Sequence, residues 1–148
     1  MRGFEVVSYY KDKDIIIPRR STKNSAGYDF FVAKHTLIKS KEIVLVETGI
    51  KAYMEDDEVL QIYARSSLSI KKGLMLPNSV GIIDSDYYNN DKNEGHIFIS
   101  MYNFSNQDVL LKKGEKFAQG IFVKYLISEN EIEPNDTRKG GFGSTDNE

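Results

Sequence analysis

The fold of this chain is decided by residues 42–64, which read EIVLVETGIKAYMEDDEVLQIYA. Two runs rich in valine, isoleucine and tyrosine flank the polar turn EDDE, and β-strands favour this composition. Similar short apolar runs recur along the chain, and clusters of turn-forming residues separate them. We therefore predict strands in the segments FEVVSYY, DIIIP, YDFFVA, EIVLVETGIKAYM, EVLQIYA, VGIID, HIFISMYNF and FAQGIFVKYL.

Helical patterns are scarce, because no segment keeps a 3.6-residue apolar period over ten or more residues. The best helix candidate is SSLSIKKG, a turn or two with Ser66 or Ser67 as N-cap and Gly73 as its end. The pattern predicts an all-β fold, either a barrel or a double-sheet sandwich, with at most one short helix.

Two strand segments, residues 44–46 and 97–99, are apolar on both faces. An oligomer interface and a covering loop both explain such a pattern, and periodicity does not decide between them. The chain changes character near its end, where residues 128–148 are acidic and then glycine-rich, with few core residues. We predict a β-barrel domain in residues 1–127 and a flexible C-terminal arm with a glycine-rich motif in residues 128–148.

Composition limits the classes of function. A length of 148 residues fits one domain, and the absence of cysteine excludes disulfides and thiolate metal sites. The net charge of −2 gives no global basic field for nucleic acid, and no apolar run approaches the length of a membrane span. The N-terminus is too charged for a signal peptide, so a cytoplasmic location is the default expectation.

Two short segments carry candidate chemistry. In ARSSLS, Arg65 ends a strand and two serines open the short helix, which suits a phosphate site but also an ordinary capped helix. In GIIDSDYYNNDKNEG, Asp84 and Asp86 stand two apart at a strand end, where an extended chain would place both on one side. This pattern suits a general base or a metal site, and it equally suits a polar strand end before a turn. Asp29 and Gln119 are polar residues beside strands, where a structural role is the more common one.

In chain order, the segments AGYDF, ARSSLS, GIIDSDY, GEKFAQ and RKGGFGST resemble the five motifs of the trimeric deoxyuridine triphosphatase (dUTPase) family, in its phage- or Firmicutes-like form. The resemblance covers residues 26–145, and five motifs in order are a far more specific signal than any one of them. It implies a distorted jelly-roll-like β-barrel, a homotrimer with sites shared between subunits, and hydrolysis of dUTP to dUMP and pyrophosphate. Such an activity keeps uracil out of DNA and supplies dUMP for thymidylate synthesis.

The resemblance also implies roles for individual residues. Asp84 is the expected catalytic base, which activates the water that attacks the α-phosphorus in line. The expected phosphate ligands are Arg65, Ser66, Ser67, Gln119, Arg138, Lys139, Ser144 and Thr145. The expected uracil and deoxyribose contacts are Asn78, Gly81, Tyr87, Gly95, His96 and Phe142. The expected structural or supporting residues are Asp29 and Asp86.

The substrate implied by the resemblance carries about four negative charges near neutral pH. Because the protein is itself net negative, we expect local donors and a Mg²⁺ ion held by the substrate phosphates and waters, with no direct protein ligand. The arm is expected to act as a lid, with Phe142 stacked on uracil over the site of a neighbouring subunit.

The chain departs from the family pattern in two places. Tyr88 stands where the family commonly has arginine, and residues 89–94 look inserted. We predict that this polar insertion is an exposed loop at a hairpin tip, and that shortening it leaves core stability nearly unchanged. In the arm, Thr137 holds the position where many relatives have arginine, and Arg138 lies one residue nearer the aromatic side chain.

Two alternatives belong to other functional classes. A dUTP-sensing regulator would contact a protein partner, with the inserted NNDKNE segment as its contact surface. A dCTP deaminase would share the fold but needs residues poised at C4 of cytosine. The retained Asp84 favours hydrolysis over sensing, and the complete GGFGST segment favours the hydrolase over the deaminase.

Overall fold

The structure, a computed structural model, describes residues 1–134 and 140–141 of the chain. This part forms eleven strands and one short α-helix, with 3₁₀ turns at Ser8–Tyr10 and Ser85–Tyr87. The strands are β1 (Gly3–Val6), β2 (Tyr28–Phe31), β3 (Thr36–Ile38), β4 (Ile43–Glu47), β5 (Ile50–Tyr53), β6 (Glu58–Ala64), β7 (Leu74–Met75), β8 (Gly81–Asp84), β9 (Phe98–Asn103), β10 (Val109–Leu111) and β11 (Lys116–Lys124). The helix, α1, spans Leu68–Lys72.

Every strand pair is antiparallel, and the strands form two main sheets and two two-stranded ribbons. The larger sheet has the order β2-β11-β6-β8, the smaller has β4-β9-β7, and the ribbons are β1-β5 and β10-β3. A single main core lies between them, and its largest fully buried side chains include Phe30, Leu60, Met101 and Phe117. The prediction of an all-β fold with one short helix is confirmed.

The boundaries of several elements differ from those predicted. The single strand expected over residues 42–54 is two strands, because the chain turns at Gly49, whose φ of +72° is a left-handed conformation. Residues 8–10 form a 3₁₀ turn rather than strand, and the segment DIIIP forms no strand. The sequence did not predict strands β3, β7 and β10, because they are only two or three residues long and too short to show an alternating apolar pattern. Helix α1 begins after Ser67 and ends at Gly73, as expected.

The outward face of the smaller sheet stays apolar and open. Ile43 and Leu45 of β4 are 58% and 48% exposed, and Met75 is 41% exposed. In register, Ile43 and Met75 flank Tyr102 of β9, so these side chains form one row. No loop among the described residues covers this row in the single chain. Within that part of the chain, a covering loop therefore does not explain why β4 is apolar on both faces.

The prediction of an exposed insertion is wrong for Asn90, and the small effect expected from shortening the loop stays a prediction. Asn90 is only 7% exposed, and its side-chain amide donates to the carbonyl oxygen of Tyr87 at 2.8 Å. Glu94 accepts hydrogen bonds from Ser8 and from Lys51 Nζ, the latter at 2.8 Å. Composition indicated a solvated loop, but the loop's amides and carboxylate satisfy buried groups of the barrel instead.

No helix in residues 1–134 and 140–141 is long and apolar enough to cross a membrane. The last strand, β11, ends at Lys124, and residues 125–134 that follow it form no helix or strand. The proposed boundary of the arm near residue 128 stays a prediction.

Candidate active site

A cavity of about 290 Å³ lies beside strand β8 and the outward face of β9. Its walls are largely apolar, and a few polar groups converge on it, as in most small-molecule sites. The lining includes Asn78, Gly81, Asp84, Tyr87, Phe98 and Ser100. The structure therefore brings together four of the residues predicted from the sequence, and it adds Phe98 and Ser100. An alternating strand pattern could have singled out these two, because both face outward from β9.

The two carboxylates of the strand end are separated by the local fold. Asp84 ends strand β8, is half-buried, and lines the cavity. The next three residues form a 3₁₀ turn, so the chain is no longer extended at Asp86, which is exposed and outside the cavity lining. A pair of carboxylates on one strand face, as an extended chain would give, is therefore not formed. Of the two carboxylates, only Asp84 lines the cavity.

Tyr87 is a fixed wall of the cavity. Its side chain is 6% exposed, and its hydroxyl donates a hydrogen bond to the carbonyl oxygen of His96 at 2.5 Å. The same hydroxyl accepts a hydrogen bond from Asn93 Nδ2 at 2.9 Å. Gly141 lies against the ring, since a Cβ atom at Gly141 would come within 2.9 Å of Tyr87 Cε1.

Gly95 and His96 support the cavity from behind rather than line it. Gly95 has a φ of +90°, and a Cβ atom there would lie 2.9 Å from the Tyr87 carbonyl oxygen and from other backbone. The His96 ring is buried beside Phe98, and its Nε2 accepts a hydrogen bond from the Gly49 amide at 2.9 Å. Burial lowers the pKa of His96, which suits a neutral ring that accepts this bond.

The second polar surface lies at the other end of β6. Arg65 follows that strand, and Asp29 lies between Arg65 and Lys116, with N–O distances of 4.0 and 3.6 Å. Gln119 of β11 pairs in register with Asp29 and donates to the carbonyl oxygen of Ala64 at 3.4 Å. The cations and hydroxyls of this surface include Arg65, Ser67, Lys71, Lys72 and Lys116, and Ser66 beside them is exposed.

This surface has the character of a phosphate site. The sequence predicted Arg65, Ser66, Ser67 and Gln119 but missed the lysines of the helix end and of β11. Lys71 and Lys72 lie in the helix candidate SSLSIKKG, and Lys116 lies in the GEKFAQ motif, but only the serines and Gln119 of these segments were assigned a role. Asp29 is engaged by Arg65 and Lys116, which fits the supporting role predicted for it.

Within one chain, the two surfaces do not meet. Asp84 stands opposite Val59 in the β6–β8 ladder, whereas Arg65 lies at the far end of β6. The numbers 59 and 65 differ by six residues, which at ~3.3 Å per residue is about 20 Å along the strand. A general base must lie within hydrogen-bond reach of the water it activates, about 3 Å. The Asp84 end and the Arg65 end of one chain cannot act on the same phosphorus atom.

Several predicted site residues lie outside the described part of the chain. These are Arg138, Lys139, Phe142, Ser144 and Thr145. Of the arm motif, only Gly140 and Gly141 are described, and a Cβ atom at Gly140 would lie 2.8 Å from Lys92 Cδ of the same chain.

The antiparallel β-fold thus carries a polar-edged cavity and, at the other end of β6, a separate surface with several cations, which together suit a ligand that has an apolar part and an anionic part. Comparison with known proteins identifies the family. A dUTPase family model matches residues 13–146, and the chain belongs to the dUTPase family.

Three relatives show how close the similarity is. The chain is 52% identical to deoxyuridine 5'-triphosphate nucleotidohydrolase of Lactococcus lactis, over 98% of this chain and 97% of that protein. The crystal structure of dUTPase from Streptococcus mutans matches with a TM-score of 0.83 and 51% identity, over 86% of this chain and 99% of that one. A mutant dUTPase of the S. aureus phage phi11, described as coordinating a structural Mg(II) ion, matches with a TM-score of 0.73 and 19% identity, over 91% of this chain and 97% of that one. The last likeness bears on the fold alone.

Proposed function

We propose that this chain hydrolyses dUTP to dUMP and pyrophosphate. Membership of the dUTPase family and the 52% identity to a named deoxyuridine 5'-triphosphate nucleotidohydrolase support the reaction. The observation that carries it is Asp84 at the edge of a nucleoside-sized cavity with Tyr87 as its wall.

In this proposal, the Asp84 carboxylate accepts a proton from the water that attacks the α-phosphorus. Such a base is effective when it holds the water in line with the leaving pyrophosphate, because positioning replaces an entropic cost. Arg65, Ser66, Ser67 and Gln119 donate hydrogen bonds to phosphate oxygens, and charged donors make these bonds stronger than neutral ones. Arg138, Lys139, Ser144 and Thr145 of the arm are assigned to the same task.

Selection of the nucleoside is assigned to the cavity. Backbone groups near Asn78 and Gly81 face the base edge, and cytosine, with its reversed donor and acceptor pattern, leaves such groups unpaired. The Tyr87 ring lies against the deoxyribose, where a 2′-hydroxyl has no room. Because hydrogen bonds hold the Tyr87 hydroxyl on two sides, the ring cannot yield to a larger sugar. Phe142 is assigned to the exposed face of uracil.

The donor set of the chain fits Mg²⁺ carried by the substrate. Among the described residues, no three histidine, aspartate or glutamate side chains form a metal-binding group, and Asp29 is engaged by two cations. Mg²⁺ binds mainly phosphate oxygens and waters, and on the triphosphate it supplies neutralisation of phosphate charge. The residues of the chain hold the phosphate oxygens, and Asp84 holds the water.

A homotrimer with shared sites completes the proposal. The separation of about 20 Å between the Asp84 end and the Arg65 end, at ~3.3 Å per residue, supports a site to which a second copy supplies one of the two surfaces. The open apolar row of Ile43, Met75 and Tyr102 lies on the face of β9 that continues into the cavity, and such a row suits a subunit interface. Closed rings are the usual symmetry of such assemblies.

Mixed refolding tests the shared site. In this proposal Asp84→Asn loses nearly all of its activity and Arg65→Ala loses most of it, and the two variants are unfolded and refolded together in equal amounts. If a site takes its base and its arginine from different chains, about a quarter of the sites are whole after random assortment in a closed ring. No recovery, with mass analysis confirming mixed oligomers, would place both surfaces of the site on one chain.

The arm is tested in the same way. A chain truncated after Asp136 replaces the Arg65→Ala variant in the mixture with Asp84→Asn. The contact of Gly141 with Tyr87 of the same chain supports closure over the arm's own cavity, which gives no recovery. Recovery of activity supports the closure over a neighbouring subunit that the resemblance implied.

The reaction itself is tested by turnover with magnesium. Pyrophosphate release from dUTP should greatly exceed release from dTTP, dCTP and UTP. Binding of dUTP without turnover would favour the sensing regulator with a protein partner, and release of ammonia from dCTP would favour the deaminase. Comparable turnover of UTP would contradict the assignment of Tyr87. A cytoplasmic location is part of the same proposal, and the cysteine-free composition is compatible with it.

A further inference from the structure

The inserted loop, residues 89–94, makes a hydrogen-bond network that ends on the wall of the cavity. Asn90 donates to Asn93 Oδ1 at 2.7 Å, and its own Oδ1 accepts from the amides of Lys92 and Asn93. Asn93 Oδ1 also accepts from the Gly95 amide at 3.1 Å. These bonds use the oxygen of Asn93 for the loop and leave its Nδ2 directed at Tyr87.

The contact of Asn93 with Tyr87 is polar and specific. Asn93 Nδ2 donates to the Tyr87 hydroxyl at 2.9 Å, while that hydroxyl donates to the His96 carbonyl oxygen at 2.5 Å. The hydroxyl thus has one donor and one acceptor as partners, which fixes both the orientation of its proton and the position of the ring edge. Asn90 adds a bond from Nδ2 to the Tyr87 carbonyl oxygen, so side chain and backbone of Tyr87 are both tied to the loop.

The far side of the loop is anchored to the barrel. Glu94 accepts from Lys51 Nζ at 2.8 Å and from Ser8, and Asn89 Oδ1 accepts from the same Lys51 Nζ at 2.7 Å. The Lys51 side chain is only 11% exposed, so its contacts with the loop are largely shielded from water. The loop is therefore a brace between strand β5 and Tyr87 rather than a solvated tip.

We infer that Asn93 is a positioning residue, which acts through the Tyr87 hydroxyl to fix the ring that reads the sugar of the nucleotide. The inference rests on the proposed function, in which Tyr87 excludes a 2′-hydroxyl. Gly141 of the arm rests on the same ring, so the brace also fixes the surface on which that glycine lies. In this chain the inserted loop supports the cavity wall. The neighbouring Tyr88 does not take part, because its hydroxyl donates a hydrogen bond to Glu5 at 2.6 Å.

Asn93→Asp isolates the contact. Aspartate keeps an oxygen for Asn90 and Gly95 but replaces the donor that faces the Tyr87 hydroxyl with an acceptor. The matched control is Asn89→Gly, which removes an amide side chain from the same loop. Glycine is compatible with the positive φ of 55° at this position, and the side chain that is lost bonds to Lys51 and not to Tyr87. Both variants are compared with the wild-type full chain at a temperature well below unfolding.

The readout is sugar discrimination, measured as the Kd for UMP divided by the Kd for dUMP. Asn93→Asp should lower this ratio about 3–10-fold, the effect of one lost hydrogen bond. Asn89→Gly should leave the ratio within about 2-fold of wild type and act only on thermal stability. An unchanged ratio in a folded Asn93→Asp protein, or an equal loss in Asn89→Gly, would overturn the inference, because a merely structural loop moves stability and not the ratio.

Tyr87→Phe provides the second variant. It removes the hydroxyl, and with it the hydrogen bond from Asn93, without changing any residue of the loop. It should therefore lower the ratio to the same extent, and Asn93→Asp should have no further effect on top of it. Additive losses would show that Asn93 acts on the sugar by another route, and an unchanged ratio in Tyr87→Phe would overturn the inference even if Asn93→Asp does not fold. Failure of the proposed function is a separate result, namely a wild type that binds dUMP in preference to UMP but does not turn over dUTP.

Discussion

Two regions of this protein, the cavity end around Asp84 and Tyr87 and the phosphate end around Arg65 and Asp29, are built in opposite ways. At the cavity end, Tyr87 is nearly buried and its hydroxyl has partners at 2.5 and 2.9 Å. At the phosphate end, Arg65 stays 37% exposed and its ion pair with Asp29 is 4.0 Å long. One end is held by short hydrogen bonds inside the chain, and the other presents loosely held charge at the surface.

In the proposed function, the difference follows from what each end recognises. Telling deoxyribose from ribose depends on one oxygen atom, so the wall that excludes it must not move. Attraction of a polyanion falls only gradually with distance, so cations on flexible stems suffice until the ligand arrives. We therefore expect substitutions at the cavity end to change selectivity or stability, and substitutions at the phosphate end to change affinity and turnover without unfolding the barrel.

The largest expected effect is that of Asp84→Asn. Loss of the base should lower turnover of dUTP by roughly 10²–10⁴-fold, while the fold and dUMP binding are retained. Asp12→Asn is the control, since Asp12 is exposed and lies outside the cavity lining. Steady-state rates of both variants check this prediction. Near-normal turnover in Asp84→Asn would show that the water is activated elsewhere.

Arg65→Ala should come next in size. Removal of one charged hydrogen-bond donor to phosphate is expected to lower kcat/KM for dUTP by about 10–100-fold. The melting temperature should stay close to that of the wild type, because a long, partly exposed ion pair contributes little stability. Kinetics and thermal melts on the same preparations measure both quantities. A large drop in melting temperature would contradict the contrast between the two ends.

Glu94→Ala tests the brace at its barrel end. The substitution leaves the shielded Lys51 ammonium with weaker partners, at a cost of about 1–2 kcal/mol after allowance for the partial exposure of Glu94. The melting temperature should fall by about 2–8 °C for a domain of this size. Asp91→Ala is the matched control, because Asp91 is an exposed acid of the same loop. Equal melting temperatures for the two variants would restore the picture of a solvated, dispensable loop.

The smallest effect concerns pH and His96. Burial lowers the pKa of His96 from its ordinary value of 6.5, so the unfolded chain binds a proton that the folded chain refuses. The contribution of His96 to the free energy of unfolding is therefore fully present above pH 6.5. As the pH falls below 6.5, the free energy of unfolding decreases by up to about 1.4 kcal/mol per pH unit, until the lowered pKa is reached. Denaturant unfolding between pH 5 and 7.5 measures this slope.

His96→Gln should flatten the slope, since a glutamine oxygen can accept from the Gly49 amide without titrating. His35→Gln serves as the control, because it makes the same substitution at an exposed histidine. The same slope in wild type and His96→Gln would assign the pH dependence to other groups. The lowered pKa of Glu94, caused first by its hydrogen bond from Lys51, acts in a separate window as pH falls below its ordinary value of 4.5.

Particular residues show how far sequence reasoning reached into the fold. The β6 segment EVLQIYA was predicted residue for residue, because it contains Val59, Ile62 and Tyr63, which favour strands, and follows a polar turn. The single strand expected over residues 42–54 was split by Gly49, whose left-handed backbone follows from the turn between two sheets rather than from its neighbours. The insertion was misjudged because its composition is that of a loop, whereas its burial depends on Lys51 and Tyr87, far away in sequence or across the turn.

The site divides in the same way. The sequence by itself determined the strand-rich class, the five motifs and the candidate residues, because these depend on local composition and short-range order. Only the tertiary structure decided that Asp84 lies in a cavity with Tyr87, that Asp86 lies outside the cavity lining, and that Arg65 lies about 20 Å from the Asp84 end, at ~3.3 Å per residue of β6. Strand register sets those distances. Register results from pairing between segments that are distant in the chain, and a local sequence pattern carries no information about that pairing.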